Sequence, residues 1–362
     1  GEVPRLIDEW QDAPVLWAAV RTLVDARGVP GQFILTGSNA IDRGQTLHSG
    51  TGRIARMLMQ PMSLWESRES SGEVSLQQLF DDPNYDIDGK TSHLSIEQLI
   101  FAAARGGWPA TLLARSPRAQ LLIAKNYVRS VCDEDVVRID GRQRDSKTAE
   151  WVLKAYARNI STLATKKTLL ADVVSSGQVS ITSETLTDYE RALERLFVID
   201  NIEAWSPAIR SKTAIRSSVK RGFCDPSIAV ALLGLSPTAL TTQLKTFGFI
   251  FEQMCIRDLK AYTADMHSHV SYYHDRYGLE ADVVLHLEDG RYALIECKLG
   301  SREIEAGAEH LLELKRLIGE HNQKERQMPI KEPDLLMILT GGKMAYTRPD
   351  GVKVVPLGCL RT

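Results

Sequence analysis

The chain has 362 residues, 43% hydrophobic and 25% charged, with 44 basic and 46 acidic side chains giving a net charge of −2. At about 100–200 residues per domain this length predicts two or three domains, and the composition excludes wholesale disorder and fibrous repeats. Near-neutral charge requires any nucleic-acid surface to come from local clustering. The longest apolar stretch, Ile228 to Leu235, is far shorter than the roughly 20 residues that span a bilayer.

In chain order, Val3 to Ile7 and Phe33 to Leu35 read as buried strands with polar ends, Asp8-Glu9 and Thr36-Gly37-Ser38-Asn39. Between them Val15, Leu16, Ala19, Val20, Leu23 and Val24 recur at helical spacing, and Gly28, Pro30 and Gly31 stop the helix. A strand-helix-strand unit of this kind predicts a parallel sheet with ligands at the strand ends. Leu94 to Asp140 is helical, broken by the turn chemistry of Gly106-Gly107-Trp108-Pro109. Thr148 to Trp205 continues as helices and ends in a strand and turn at Val198-Ile199-Asp200-Asn201, which suits a helix-turn-helix with a small wing. Ala208 to Cys224 carries Arg210, Lys212, Arg216, Lys220 and Arg221 with no acidic residue, a candidate phosphate-contacting stretch whose alternative is a solvated linker. The last third reads as a helix (Phe247 to Asp258), a strand (Val270 to His274), a hairpin pair turning at Glu288-Asp289-Gly290-Arg291, a helix (Ile304 to Ile318) and a strand (Leu335 to Leu339).

Two acid constellations carry candidate chemistry. Asp8-Glu9 after an apolar strand has the pattern of a Walker B pair, in which one carboxylate holds a hydrated magnesium ion and the next polarises the attacking water; a solvated strand end is the alternative. Ser38 and Asn39 would then sit where a γ-phosphate is sensed. In the last third, Asp282 on an alternating strand and Glu296-Cys297-Lys298 on the next form a D…ExK arrangement. Paired strands bring Asp282 and Glu296 together to hold Mg2+ or Mn2+, and Lys298, two residues on, shares the face and orients water. Glu252 on the preceding helix is a further candidate metal ligand, so Asp8, Glu252, Asp282 and Glu296 make up the expected metal-binding set. His267, His269 and His274 fit no common zinc spacing, and Trp65, Trp108 and Trp205 read as core or interface anchors.

The strings Pro4 to Gln11, Ile34 to Ser38, Gly52-Arg53 leading into Met59 to Glu66, and Gly106 to Pro109 resemble a widespread prokaryotic family of AAA+ superfamily ATPases with a winged-helix region and a carboxy-terminal PD-(D/E)XK nuclease-like domain. The resemblance runs nearly the full length. It implies an α/β multidomain protein: a partial AAA+ parallel-sheet core at 1–85, a helical lid at 86–145, a winged helix at 146–206, and a PD-(D/E)XK-like α/β domain at 207–362 with a basic linker at 207–224. It also implies that Asp8 and Glu9 are the Walker B pair, that Ser38 and Asn39 are the sensor, and that Arg53 lies near the nucleotide. No Gly-x-x-x-x-Gly-Lys-[Ser/Thr] string occurs in the 362 residues, so ATP is expected as a cofactor only in a longer protein whose P-loop precedes Gly1. The expected function is an ATPase acting on DNA. The alternatives are a metal-dependent nuclease with a scaffold front half, or a non-enzymatic DNA-binding protein with vestigial sites. A homo-oligomer is compatible with the resemblance. Five scattered cysteines without a Cys-x-x-Cys pair point to a reducing cytoplasm.

Overall fold

The structure, a computed structural model, describes residues 4–38, 52–139, 142–177, 179–205, 218–275, 277–324, 327 and 329–362. It is a mixed α/β protein with parallel and antiparallel strand pairs. At the front, β1 (Arg5–Ile7), α1 (Val15–Arg27) and β2 (Phe33–Leu35) form the expected unit, β1 pairing parallel to β2. Gly28 ends α1 in the left-handed conformation at φ 61°, which its missing Cβ permits. The strands are less buried than their sequence suggests, for Leu6 and Ile34 are exposed.

Next come β3 (Val74–Ser75), α2 (Leu76–Asp81) and the helices α3 (Ile96–Arg105), α4 (Pro109–Leu113), α5 (Pro117–Ser130) and α6 (Val136–Arg138). A wide helical turn, Val131–Asp135, links α5 to α6 and contains the acidic triplet Asp133-Glu134-Asp135. Helices α7 (Ser146–Arg158), α8 (Lys166–Gly177) and α9 (Ser183–Arg195) follow, then β4 (Glu203–Ala204). Isolated bridges Ile199–Phe223 and Ile202–Lys220 join the chain on either side of residues 206–217 as an antiparallel ribbon. Val128, Val152, Leu153, Leu169, Val173, Leu186 and Leu193 fill one helical core.

The remainder comprises α10 (Pro226–Leu232), α11 (Pro237–Thr242), α12 (Leu244–Tyr262), β5 (His269–His274), β6 (Glu280–His286), β7 (Tyr292–Lys298), α13 (Ile304–Lys324), β8 (Leu335–Thr340), β9 (Tyr346–Thr347), β10 (Lys353–Pro356) and β11 (Leu360–Arg361). Seven strands make one sheet in the order β4-β5-β6-β7-β8-β10-β9. β5, β6 and β7 are antiparallel neighbours, and β7 runs parallel to β8 across the α13 crossover. Alternation along the strands turns Val283, Leu285 and Ile295 into the core that contains α12, and Val284, Leu294 and Ile338 into the core that contains α13. Leu64, Val74, Leu76 and Leu79, from the stretch expected with the ATPase core, and Ile87, from the expected lid, are buried in the α12 core, and β3 pairs parallel to β11. Among the described residues no helix is long and apolar enough to cross a membrane.

Candidate functional site

At the front, the parallel pairing of β1 and β2 brings Asp8-Glu9 beside Thr36 and Ser38 at one strand end. The Thr36 hydroxyl donates to Asp8 Oδ1 and the Gln11 amide to Glu9 Oε2, while Ser38 Oγ donates to Glu9 Oε2 at 3.3 Å. Two exposed carboxylates bordered by hydroxyls suit a hydrated magnesium ion carrying phosphate. Asn39 lies outside the described residues. Arg53 does not join this group: its Nε pairs with Asp25 Oδ1 at 2.5 Å, near the end of α1 that leads into the start of β2. That is the opposite end of the unit from Asp8.

Two of the strings that carry the resemblance, Met59 to Glu66 and Gly106 to Pro109, meet elsewhere, in a buried junction. Met62 N donates to Gly107 O, Gly107 N to Asp225 Oδ2, and Trp108 Nε1 to Ser227 Oγ, at 2.8, 2.9 and 2.9 Å. Arg257 on α12 binds Asp225 Oδ2 at 3.0 Å and Asp258 Oδ1 at 2.6 Å, and Asp258 Oδ2 accepts from Leu64 N. All three charged groups are almost fully buried. These residues hold three parts of the chain together. Trp108 and Trp205 are anchored among aromatic neighbours as expected. Trp65 is 40% exposed, its ring lying over Gly72, where a Cβ would come within 2.3 Å of it.

The second constellation assembles on the α13 side of the large sheet. Asp282 follows Ala281 on β6 one step beyond the Val283–Ile295 pair, which sets it opposite Glu296; Lys298 shares the face by the two-residue period. Cys297 N donates to Asp282 Oδ2 at 2.9 Å. Lys298 Nζ stands 3.5 Å from Asp282 Oδ2 and 2.5 Å from Glu296 Oε2, so its ammonium pairs with both carboxylates. α13 packs close at this point: a Cβ on Gly307 would stand 3.3 Å from Lys298 Cε and 3.5 Å from Glu296 Cβ. One helical turn later His310 Nδ1 stands 3.3 Å from Glu296 Oε1.

Lys220 enters the same cluster. Its ammonium binds Glu252 Oε1 at 2.6 Å, the Asp282 backbone oxygen at 3.1 Å and Asp282 Oδ1 at 3.6 Å. Lys220 is 7% exposed, so its expected role as a surface phosphate contact is corrected: its charge is already spent on buried carboxylates. Arg221 needs the same correction. It is buried, and its Nη1 contacts Glu190 Oε1 at 3.0 Å and the Tyr156 hydroxyl at 2.7 Å. Arg210, Lys212 and Arg216 lie outside the described residues.

These neighbours set the electrostatics. Burial pushes the Glu252 carboxyl up to about 7, against the pull of Lys220. Burial would raise Asp282 too, but Lys220 and Lys298 together hold it below the usual carboxylate range. Burial and the Asp282 charge raise Glu296 well above that range, with Lys298 opposing. Burial alone would lower Lys298, yet Asp282 and Glu296 raise it, so its ammonium is firmly charged.

Of the expected metal set Asp8, Glu252, Asp282 and Glu296, Asp8 lies on the front unit and Lys220 stands between Glu252 and Asp282, while among the described residues a group spaced for a metal ion is Glu280, Glu296 and His310. Sequence reasoning missed Glu280, His310 and the inward turn of Lys220. Glu280 was within reach, since it stands two residues before Asp282 on an alternating strand.

Three family models match parts of the chain: an AAA domain over residues 2–67, a domain of unknown function (DUF8612) over 96–239, and another (DUF4143) over 247–360. No curated protein and no solved structure matches. DUF4143 is associated with AAA-type ATPases, and with the AAA domain at the front it supports an AAA-like ATPase.

Proposed function

We propose that this AAA-like ATPase acts on DNA, and that its carboxy-terminal α/β domain is a PD-(D/E)XK nuclease-like site using Mg2+ or Mn2+. The observation that carries the reading is the convergence of Asp282, Glu296 and Lys298, with Lys298 within ion-pair distance of both carboxylates. The order α12-β5-β6-β7-α13-β8 that presents them supports it. In this reading the carboxylates supply anionic oxygen to the metal, and Lys298 orients the attacking water or steadies charge on the phosphate. The helices α7 to α9 with the ribbon behind them suit a winged helix that holds duplex DNA by its backbone, with Arg210, Lys212 and Arg216 as phosphate contacts. Asp8, Glu9, Ser38 and Asn39 would serve ATP in a protein that includes a P-loop, and a homo-oligomer in the cytoplasm remains part of the proposal.

The test is cleavage of a labelled DNA panel in Mg2+ and in Mn2+ without ATP. The parent is expected to cut, and Asp282→Ala and Lys298→Ala to lose at least about a hundredfold in rate, the usual scale of lost acid-base assistance. Equal cleavage by parent and variants would sink the reading. One observation favours a second reading: Lys220 fills the space between Glu252 and Asp282, as suits a domain that kept the fold and DNA affinity without cutting. Salt-sensitive binding with no cleavage by the parent would select it.

A further inference from the structure

The place where a cation would sit between Glu252 and Asp282 is taken. Lys220 Nζ is surrounded there by Glu252 Oε1, the Asp282 backbone oxygen and Asp282 Oδ1, so a divalent ion could enter only by expelling a buried lysine. On the other side of Glu296 the arrangement differs. Glu280, Glu296 and His310 each offer a ligand atom, and the three atoms lie within 4.8 Å of one another. Two atoms bound at roughly 2.0–2.2 Å to one zinc-type ion are at most about 4.4 Å apart, so small side-chain rotations close the set. Glu296 itself is fully buried, its Oε1 standing 3.3 Å from His310 Nδ1 and its Oε2 paired with the Lys298 ammonium at 2.5 Å.

We propose that a first-row divalent cation is bound by Glu280, Glu296 and His310, on the α13 side of the sheet, and that Lys220 replaces a metal on the Glu252 side. One imidazole with two carboxylates suits Mn2+ or Zn2+ better than Mg2+ or Ca2+, which take oxygen ligands. Three protein ligands leave a position open for water or a phosphate oxygen. His310 is 36% exposed at its side chain, so this position is reachable from solvent. The proposal rests on reading the carboxylate and lysine cluster as the functional site, and it changes which residues hold the ion.

The experiment is calorimetric titration of the whole chain with Mn2+ and with Zn2+, in the absence of DNA. The parent is expected to bind one ion, and His310→Ala and Glu280→Gln each to weaken binding at least tenfold. Binding by His310→Ala equal to the parent, no binding by the parent, or loss of binding in Glu252→Gln instead would each overturn the assignment. Because a variant can misfold, diethyl pyrocarbonate modification of the parent gives a second measurement: Zn2+ should protect His310, and an unprotected His310 counts against the site. Ion binding without DNA cleavage would leave this assignment standing while the nuclease reading fell.

Discussion

At the residue scale Lys220 separates two physical accounts of one basic stretch. A lysine held in solvent for phosphate contact contributes within about 0.5 kcal/mol to folding, like other surface positions. Removing a lysine buried between Glu252 and Asp282 leaves Glu252 without its ion-pair partner and Asp282 with Lys298 alone, and breaking such a buried pair costs about 3–5 kcal/mol. Lys220→Met is therefore expected to lower urea-unfolding stability by the larger amount, and a change under 1 kcal/mol would return Lys220 to the surface. The same logic explains why Arg257 can remain between Asp225 and Asp258: burial raises the Asp258 carboxyl, and the guanidinium pulls it back.

At the element scale the helix ends follow their sequence signals. Ser95 and Gln98 form a capping box on α3, Thr182 caps α9, and Asp145 caps α7 by accepting from the Thr148 backbone and hydroxyl at 2.7 and 2.8 Å. The Thr148 hydroxyl and backbone N–H hold the Asp145 carboxyl below the usual range. A lowered folded-state value means that the unfolded chain takes up the proton first. The cap's contribution is thus complete above about pH 4, the ordinary Asp value, and fades as pH falls through the folded value. Asp145→Ala is expected to cost about 1 kcal/mol at pH 7. The difference from the parent should shrink toward pH 3 in paired denaturation curves, and a gap that stayed constant would refute the capping account.

At the scale of the whole molecule, the last residues close a core begun some three hundred residues earlier. Leu357, Cys359 and Leu360 are fully buried with Leu64 and Val74, Ser70 Oγ donates to the Leu360 oxygen at 2.7 Å, and β11 pairs with β3. Leu360→Ala should cost about 2–5 kcal/mol, the range for a buried leucine. Hydrogen exchange should then quicken at Val74 as well as in β10, since one cooperative unit opens together. Unchanged protection at Val74 would show that the early segment is held independently.

What the sequence determined by itself was whatever depends on near neighbours along the chain. The strand-helix-strand unit at the front, the order of helix and strands from Phe247 to Leu339, and the shared face of Glu296 and Lys298 follow from periods of 3.6 and 2 and from turn chemistry. The AAA-like character was legible in the strings around Asp8 and Ser38, and the family match at residues 2–67 supports it. Only the tertiary structure decided which side chains meet. Nothing local distinguishes Lys220, which turns inward, from a solvated lysine, or tells that α13 brings His310 to Glu296. The inward turn of Arg221 and the pairing of Arg53 with Asp25 were equally hidden. The physical reason is that a charge in a basic run is read by its sequence neighbours, while its energy is set by the carboxylates and burial that distant segments bring to it.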